Sequence, residues 1–373
     1  VRDPGLGGSG ARPAIEFVGR TYTYAELDRA IEQWIEQHPG ATSYDASALD
    51  VPDALICVCA AARRGVPVFV ENPAARPART DLPASAFLLV TTSGSTGRPR
   101  PLARTAASWY DSFPAFTAIT GVTAADRVLL TGPLYATMHL FGALHALWLG
   151  ACVTDDPARA TVVHAVPAVL REVVGRAPAL RTAIVAGIAL DDGARAAAAG
   201  LELIEYYGSA EVSLVAARRV PEPLRLLDGV EAEIRAGLLY VRTPYRVLGA
   251  PEWFGVGDLA ELGPERELTV RGRGESAINV GGTTVLAEDV ERVLGAIDGV
   301  AAVAVIGAPH AVLGEIVTAA VQLDGDVGIG AVRAHARRVL LKEAMPRRWV
   351  PLPALPRTAS GKVARGELKD LLA

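Results

Sequence analysis

The sequence predicts an α/β protein in two parts: a large N-terminal domain of mixed and parallel sheets with helices, and a small α+β C-terminal domain. Three observations predict it. The 373 residues exceed a typical domain of roughly 150 residues more than twofold, so two or three domains are expected. Short β-branched runs alternate with Ala-rich helical stretches as far as about residue 228, the pattern of strands joined by helical crossovers. Beyond it strands follow one another without long helices, and after Arg271-Gly272-Arg273-Gly274 helices return. The boundary is therefore expected near Gly274, between domains at 1–273 and 274–373.

Taken in order, Thr23-Tyr24-Ala25-Glu26 opens a helix that runs to about Gln37. The threonine hydroxyl and the glutamate carboxylate of such a capping box satisfy amides that the first turn leaves free. Strands are expected at 66–70, 87–91, 127–130, 161–164, 181–185 and 201–205, then at 232–235, 238–241, 258–262 and 267–270. The last part predicts a helix at 286–294, strands at 300–306 and 316–323, a helix at 330–341 and a basic, Pro-rich tail. Residues 128–154 carry no charged side chain, which is long enough for a membrane span of roughly 20 residues. Gly132-Pro133 breaks that run early and His139 and His145 interrupt it, so it reads as strand, turn, helix and strand, all buried.

Half of the residues are hydrophobic and 21% are charged, which allows a large core and excludes wholesale disorder. A net charge of −4 argues against a protein that wraps nucleic acid or coats an anionic membrane. Cys57, Cys59 and Cys152 make neither a disulfide framework nor a zinc spacing. Val1-Arg2-Asp3-Pro4 lacks the charged-then-apolar pattern of a leader, and a cytoplasmic location is expected. Of 37 basic residues only Lys342, Lys362 and Lys369 are lysines, so each of them stands out.

Thr91-Thr92-Ser93-Gly94-Ser95-Thr96-Gly97-Arg98-Pro99-Arg100 follows an expected strand. Its glycines allow close backbone approach and its hydroxyls add donors, a combination that can cradle a polyphosphate. The spacing and the missing lysine exclude the GxxxxGK[ST] phosphate loop. Tyr206-Tyr207-Gly208-Ser209-Ala210-Glu211 offers an aromatic face, a turn and a carboxylate suited to magnesium. Further on stand Trp253-Phe254-Gly255-Val256-Gly257-Asp258, Arg271-Gly272-Arg273-Gly274-Glu275, Ile278-Asn279-Val280-Gly281-Gly282 and Leu355-Pro356-Arg357-Thr358-Ala359-Ser360-Gly361-Lys362. Singly, Asp258 could be a strand cap, Glu211 a helix-start acid and Lys362 a solvated tail charge.

In this order, over residues 23–368, the motifs resemble the adenylate-forming superfamily of acyl- and aryl-CoA ligases, stand-alone adenylation enzymes and luciferases. The resemblance implies a large N-terminal domain, a small mobile C-terminal domain and a site between them. It implies ATP, Mg2+ and CoA, or a phosphopantetheinyl carrier, as cofactors and partners, with a carboxylic acid as substrate. Thr92, Ser93, Gly94, Ser95, Thr96 and Gly97 would hold the β- and γ-phosphates, with Gly208 and Ser209 in the neighbouring nucleotide-binding motif. Tyr207 would lie against adenine, Glu211 would bind Mg2+, and Asp258 with Arg273 would hold the ribose. Lys362 would contact the substrate carboxylate and the α-phosphate, offsetting the approach of one anion to another. Glu275 matches the hinge, Gly281 and Gly282 the thiol tunnel, and His139 the gate beside the acyl pocket, unless His139 is a plain core histidine.

Glu275 stands where aspartate is more usual, the large N-terminal domain is shorter than is usual for the family, and the motifs depart from it at three further places. Ala210 replaces a hydroxyl that usually touches phosphate, a loss of about 1.5–3 kcal/mol. Arg100 replaces a lysine and keeps only the charge. Asn279 replaces a lysine of the thiolation motif, which weakens the case for CoA more than that for adenylation. Residues 128–154 contain no acid to meet an α-ammonium, so an amino-acid substrate is disfavoured. Tyr135, Met138, His139, Phe141 and Trp148, with Ala186-Gly187-Ile188-Ala189-Leu190, suggest a small apolar or aryl acid. A diacid such as o-succinylbenzoate would want an extra arginine, for which Arg104 is a candidate. Three readings stay open: an acid–thiol ligase using CoA, an adenylation enzyme serving a carrier protein or amine, and a non-catalytic nucleotide-binding module.

Overall fold

The N-terminal segment forms a hairpin of β1 (Pro13–Phe17) and β2 (Arg20–Thr23) and runs directly into α1 (Tyr24–Gln37), whose capping box is formed as its sequence demands. The structure, a computed structural model, describes residues 5–74, 76, 82–91, 101–280, 283–310, 313–325, 327–342, 344–358 and 363–372. For residues 273, 275, 279, 283, 284 and 314 it describes the backbone alone.

After β3 (Tyr44–Asp45), Asp50 caps α2 (Val51–Arg64), and Gly65 ends that helix in the left-handed conformation at φ 68°. Then come β4 (Val68–Phe69), β5 (Leu88–Thr91), β6 (Pro101–Arg104), α3 (Ala107–Tyr110) and α4 (Phe113–Thr120). The charge-free run forms β7 (Arg127–Leu130), α5 (Thr137–Leu149) and β8 (Cys152–Thr154), strand, helix and strand as expected. No helix among the described residues is long and apolar enough to cross a membrane. β9 (Val162–Ala165), α6 (Pro167–Val174), β10 (Thr182–Val185), α7 (Asp192–Ala197) and β11 (Glu202–Ser209) complete the alternating part. β12 (Ser213–Arg219) and β13 (Arg225–Leu226) follow. Next are β14 (Glu231–Arg235), β15 (Leu238–Arg242), β16 (Phe254–Leu262) and β17 (Leu268–Arg273). The C-terminal part contains β18 (Ala277–Val280), β19 (Thr283–Leu286), α8 (Ala287–Gly295), β20 (Val300–His310) and β21 (Gly314–Leu323). It ends with α9 (Ile329–Val339), β22 (Arg348–Pro351) and α10 (Arg365–Leu372).

Nine strands form the principal sheet in the order β13-β12-β11-β10-β9-β7-β8-β1-β2, parallel from β11 through β1. One face packs on α1, α2, α4 and α5 in a continuous apolar core, and α6 and α7 cover the other. The strand order reverses at β7: the chain passes from β7 to β8 on one side, then to β9 on the other. A second sheet, β3-β4-β5-β6, supports the other side of the helical layer, and β14-β15-β16-β17 form an antiparallel sheet with its own core. In the C-terminal part β19-β18-β21-β20, joined by β22, carries α8 and α9 on one face and α10 on the other. Each apolar core lies wholly on one side of residue 274, with Val270 as the last member before it and Ile278 as the first after.

Candidate active site

The motif expected to turn after a strand is itself strand. Tyr206-Tyr207-Gly208-Ser209 continues β11 and pairs antiparallel with β12, with an irregularity between Tyr207 and Gly208. Glycine is needed at 208 for close approach: a Cβ there would sit 2.0 Å from the carbonyl oxygen of Ser213. The chain reverses over residues 210–212 and re-enters β12 at Ser213, at φ 57°. Ser209 Oγ accepts from the Glu211 amide at 3.3 Å, and the Glu211 carbonyl accepts from Val247 N at 2.8 Å. The carboxylate-bearing turn is thus held by its backbone.

Two motifs 51 positions apart meet here, because the Tyr207 hydroxyl donates to Asp258 Oδ2. Asp258 sits within β16, only 8% exposed, and not at a strand start as expected. Its cross-strand partner is Arg273 on β17, so register alone brings together the two residues assigned to the ribose. The side chains of Arg273 and Glu275 are outside the description.

Arg104 was not identified by sequence as part of this framework. Its side chain is wholly buried, donating to the carbonyls of Tyr245 at 2.7 Å, Ala210 at 2.5 Å and Ser108 at 3.4 Å. The guanidinium lies over Trp109, 5.1 Å from the ring centroid. Burial pulls its pKa down to about 10, against the opposing pull of the Glu211 charge. Wholly buried, with both terminal nitrogens on main-chain carbonyls and Nε alone without a partner among the described residues, this guanidinium holds the backbone and does not present itself to a substrate carboxylate, which corrects the expectation for this residue. Its place is beneath the turn that carries Glu211. Nothing in the sequence marks this role: Arg98 and Arg100 closely precede Arg104 and Thr105 follows it.

On the acid side, His139 lies in the first turn of α5, buried against Gly132, where a Cβ would fall 2.4 Å from His139 Nε2. Burial pushes its pKa down to about 4, and Nδ1 is buried with no hydrogen-bond partner among the described residues. Tyr135 and Met138 are half-buried beside it. Phe141 points into an aromatic cluster, with its ring centroid 5.5 Å from Trp109 and 5.1 Å from both Phe113 and Phe116. Trp148 joins the same cluster through Phe113, at 5.6 Å. Gly187, at φ 83°, follows the end of β10, and Ile188 beside it is 49% exposed. Two further buried histidines complete this region: His145, noted in sequence only as an interruption of the charge-free run, and His164, which sequence did not single out.

Thr92, Ser93, Gly94, Ser95, Thr96, Gly97, Gly281, Gly282 and Lys362 lie outside the described residues, as does Arg100. What flanks them is defined. Thr91 pairs with Pro101, Val280 with Thr283, and Arg357 forms a bridge with Val363. Just beyond Lys362, Arg365 donates to both carboxylate oxygens of Glu291 on α8 at 2.7 Å, which anchors the start of α10. Burial raises the Glu291 pKa, which the charge of Arg365 opposes.

Residues 289–362 match the family model of the AMP-binding enzyme C-terminal domain. Over 347 residues the chain is 30% identical to a protein of Bacillus subtilis (strain 168) named uncharacterized acyl–CoA ligase YhfT, covering 81% of this chain and 72% of that protein. It is 31% identical over 337 residues to a probable 2-succinylbenzoate–CoA ligase of Mycobacterium tuberculosis, covering 75% of this chain and 83% of the relative. The fold matches the crystal structure of ATP-bound MatB from Rhodopseudomonas palustris with a TM-score of 0.83 at 22% identity, over 97% of this chain and 96% of that one. The chain belongs to the acyl- and aryl-CoA ligase family of the adenylate-forming superfamily.

Proposed function

We propose that the protein activates a small apolar or aryl carboxylic acid with ATP, releasing pyrophosphate, and passes the acyl group to the thiol of CoA. The observation that carries this reading is the Tyr207–Asp258 hydrogen bond, which joins the principal sheet to the β14–β17 sheet at the residues assigned to adenine and ribose. In the first step a carboxylate oxygen attacks the α-phosphorus and the bond to the bridging oxygen of the leaving pyrophosphate breaks. In the second, the thiol sulfur attacks the acyl carbonyl, the acyl–phosphate bond breaks and AMP leaves.

Asp258, already an acceptor for one hydroxyl, accepts from the ribose with Arg273 beside it, and Tyr207 flanks the base. Lys362, which precedes Val363 in the sequence, supplies a compact ammonium donor to the reacting carboxylate and α-phosphate. Magnesium commonly takes one or two carboxylates and completes its shell with phosphates and water. Among the described residues no group of three or more His, Cys, Asp or Glu could hold a metal, and the single carboxylate Glu211 fits that sparse requirement. Bound there, the ion would neutralise polyphosphate charge.

The domain arrangement follows the same reading: residues 1–273 form the large domain and 274–373 a small one that turns about Glu275. Turning withdraws Lys362 and admits the pantetheine arm past Gly281 and Gly282. Asn279, standing where the family has a lysine, is the observation that favours a carrier-protein or amine acceptor as the second reading.

Acid-dependent exchange of labelled pyrophosphate into ATP across a panel of acids, followed by thioester detection with CoA, tests both steps. Exchange together with an acyl-CoA product is expected. Exchange without a thioester assigns the acyl group to another acceptor, and no exchange with any acid refutes the activation step.

A further inference from the structure

Arg365 stands where helix electrostatics disfavour it. It is the first residue of α10, and a cation at a helix N-terminus opposes the helix dipole. Its Nε is buried with no hydrogen-bond partner among the described residues. The helix does not need this side chain to stay in place, because Leu368 and Leu372 already pack on β20 and β21 in an apolar core. An ion pair withdrawn from water recovers little net energy, so stability does not account for the residue.

Its contacts are geometric devices. Strand β20 is the outer edge of its sheet, and the Val305 amide at that edge donates to Glu291 Oε1 at 2.7 Å. Glu291 comes from α8 on one face of the sheet and Arg365 from α10 on the other, so the two meet around the edge, with Nη2 at 2.7 Å from both carboxylate oxygens. Just before Arg365, the Ala364 amide donates to the Pro356 carbonyl at 2.9 Å and Val363 bridges Arg357. Residues 363–365 are thus fixed by backbone bonds on one side and by the ion pair on the other. Lys362 lies outside the described residues, but it is bonded directly to Val363, so its Cα falls about 3.8 Å from that of Val363. Helix α8 also rests on β17. Glu288, 3.8 Å from Arg365, lies so near Gly272 that a Cβ there would fall 2.6 Å from Glu288 Oε2. Gly272 precedes Arg273, the cross-strand partner of Asp258. A short chain of contacts therefore runs from the residues assigned to the ribose, through α8 and Arg365, to the residue next to Lys362.

Resting on the assignment of Lys362 to the reacting centre, we propose that Arg365 and Glu291 are positioning residues for acid activation. Through them α8 sets where the chain leaves Val363 toward Lys362, and so keeps the ammonium within reach of the carboxylate and the α-phosphate. An ammonium on a flexible stem acts as a preorganised donor only when the backbone beneath it is fixed. The transfer of the acyl group to the thiol, for which Lys362 is withdrawn, does not depend on this pair.

The test is a double-mutant cycle with Lys362→Ala in the full chain, using the acid that exchanges best and its preformed adenylate. Arg365→Met is expected to lower kcat for acid-dependent pyrophosphate exchange about 10–100-fold, the cost of misplacing a reacting group by about 1 Å, while KM for ATP changes less than about twofold. Thioester formation from the preformed adenylate and CoA stays within about twofold of the wild type. In the Lys362→Ala background the same substitution adds no further loss, because it acts only through Lys362. Arg365→Lys, which keeps a cation opposite Glu291, is expected to lose less than Arg365→Met. Should Arg365→Met not fold, Glu291→Gln, which keeps an acceptor for the Val305 amide, takes its place in the cycle. Equal losses in both backgrounds, or in both half-reactions, would mark a purely structural brace and overturn the inference. Unchanged exchange in Arg365→Met beside a large loss in Lys362→Ala overturns it too and leaves the role of Lys362 standing. Normal exchange in Lys362→Ala, or no exchange with any acid, overturns the assignment of Lys362 and this inference with it. Where CoA is not the acceptor, the cycle alone decides.

Discussion

Acidification should unfold the large domain earlier than its carboxylates alone would dictate. Three histidines are buried on the α5 side of the principal sheet, and burial pushes His139 down to about 4 and His145 and His164 down to about 3. The unfolded chain takes up these protons near pH 6.5. Between about pH 6.5 and 4 the unfolded state therefore binds protons that the folded state refuses, so stability rises with pH through this window and is lost as pH falls. At about pH 5.5, one unit below the free value, each histidine costs about 1.4 kcal/mol, and the three together about 4. For a domain of this size that corresponds to a drop of roughly 10 °C in unfolding temperature. Carboxylates held low, such as Asp53 by its hydrogen bond from Arg20, lose their contribution only below about pH 4 and leave the window clear. Scanning calorimetry from about pH 7.5 to about pH 5.5 at constant ionic strength reads the effect. His145→Phe, placed among Phe113, Phe116 and Trp148, should remove about a third of the slope. A midpoint that does not move over this range would refute the neutral burial of the three rings.

Other outcomes follow from the same geometry. Arg104→Met leaves the Tyr245 and Ala210 carbonyls without their charged donor and should cost about 3–5 kcal/mol in denaturant melts, with a raised KM for ATP as the Glu211 turn loosens. A fully stable variant would show that these bonds contribute nothing net. Gly208→Ala places a Cβ 2.0 Å from the Ser213 oxygen, so β11 and β12 must part at a cost of about 1–3 kcal/mol, visible as a lower melting temperature and weaker ATP binding. Lys362→Ala should reduce acid-dependent exchange several hundredfold, about 3–4 kcal/mol, while thioester formation from preformed acyl adenylate continues. Normal exchange in that variant would remove Lys362 from the reacting centre.

The elements legible in advance were those whose cause is local. The capping box at Thr23 fixes the start of α1, and the Gly132-Pro133 break divides the charge-free run into β7 and α5. Helix α2 was harder to see, because nine of its 14 residues are buried and no polar face marks its period. Tyr207 and Gly208 read as a turn because glycine usually marks one. In the structure the same glycine serves close approach of β12, a requirement that arises only once the strands pair.

The candidate site divides the same way. The order of motifs along the chain, the scarcity of lysine that makes Lys362 conspicuous and the departures at Arg100, Ala210 and Asn279 are properties of the sequence alone. They determine the family and the chemistry that each position is suited to. The meeting of Tyr207 with Asp258, the three carbonyls around Arg104 and the unpartnered ring of His164 were decided by tertiary structure. Arg104 and Tyr245 are 141 positions apart, and strand order, not local preference, sets such contacts. Burial then converts them into energetics, since a polar group becomes demanding only where water is excluded.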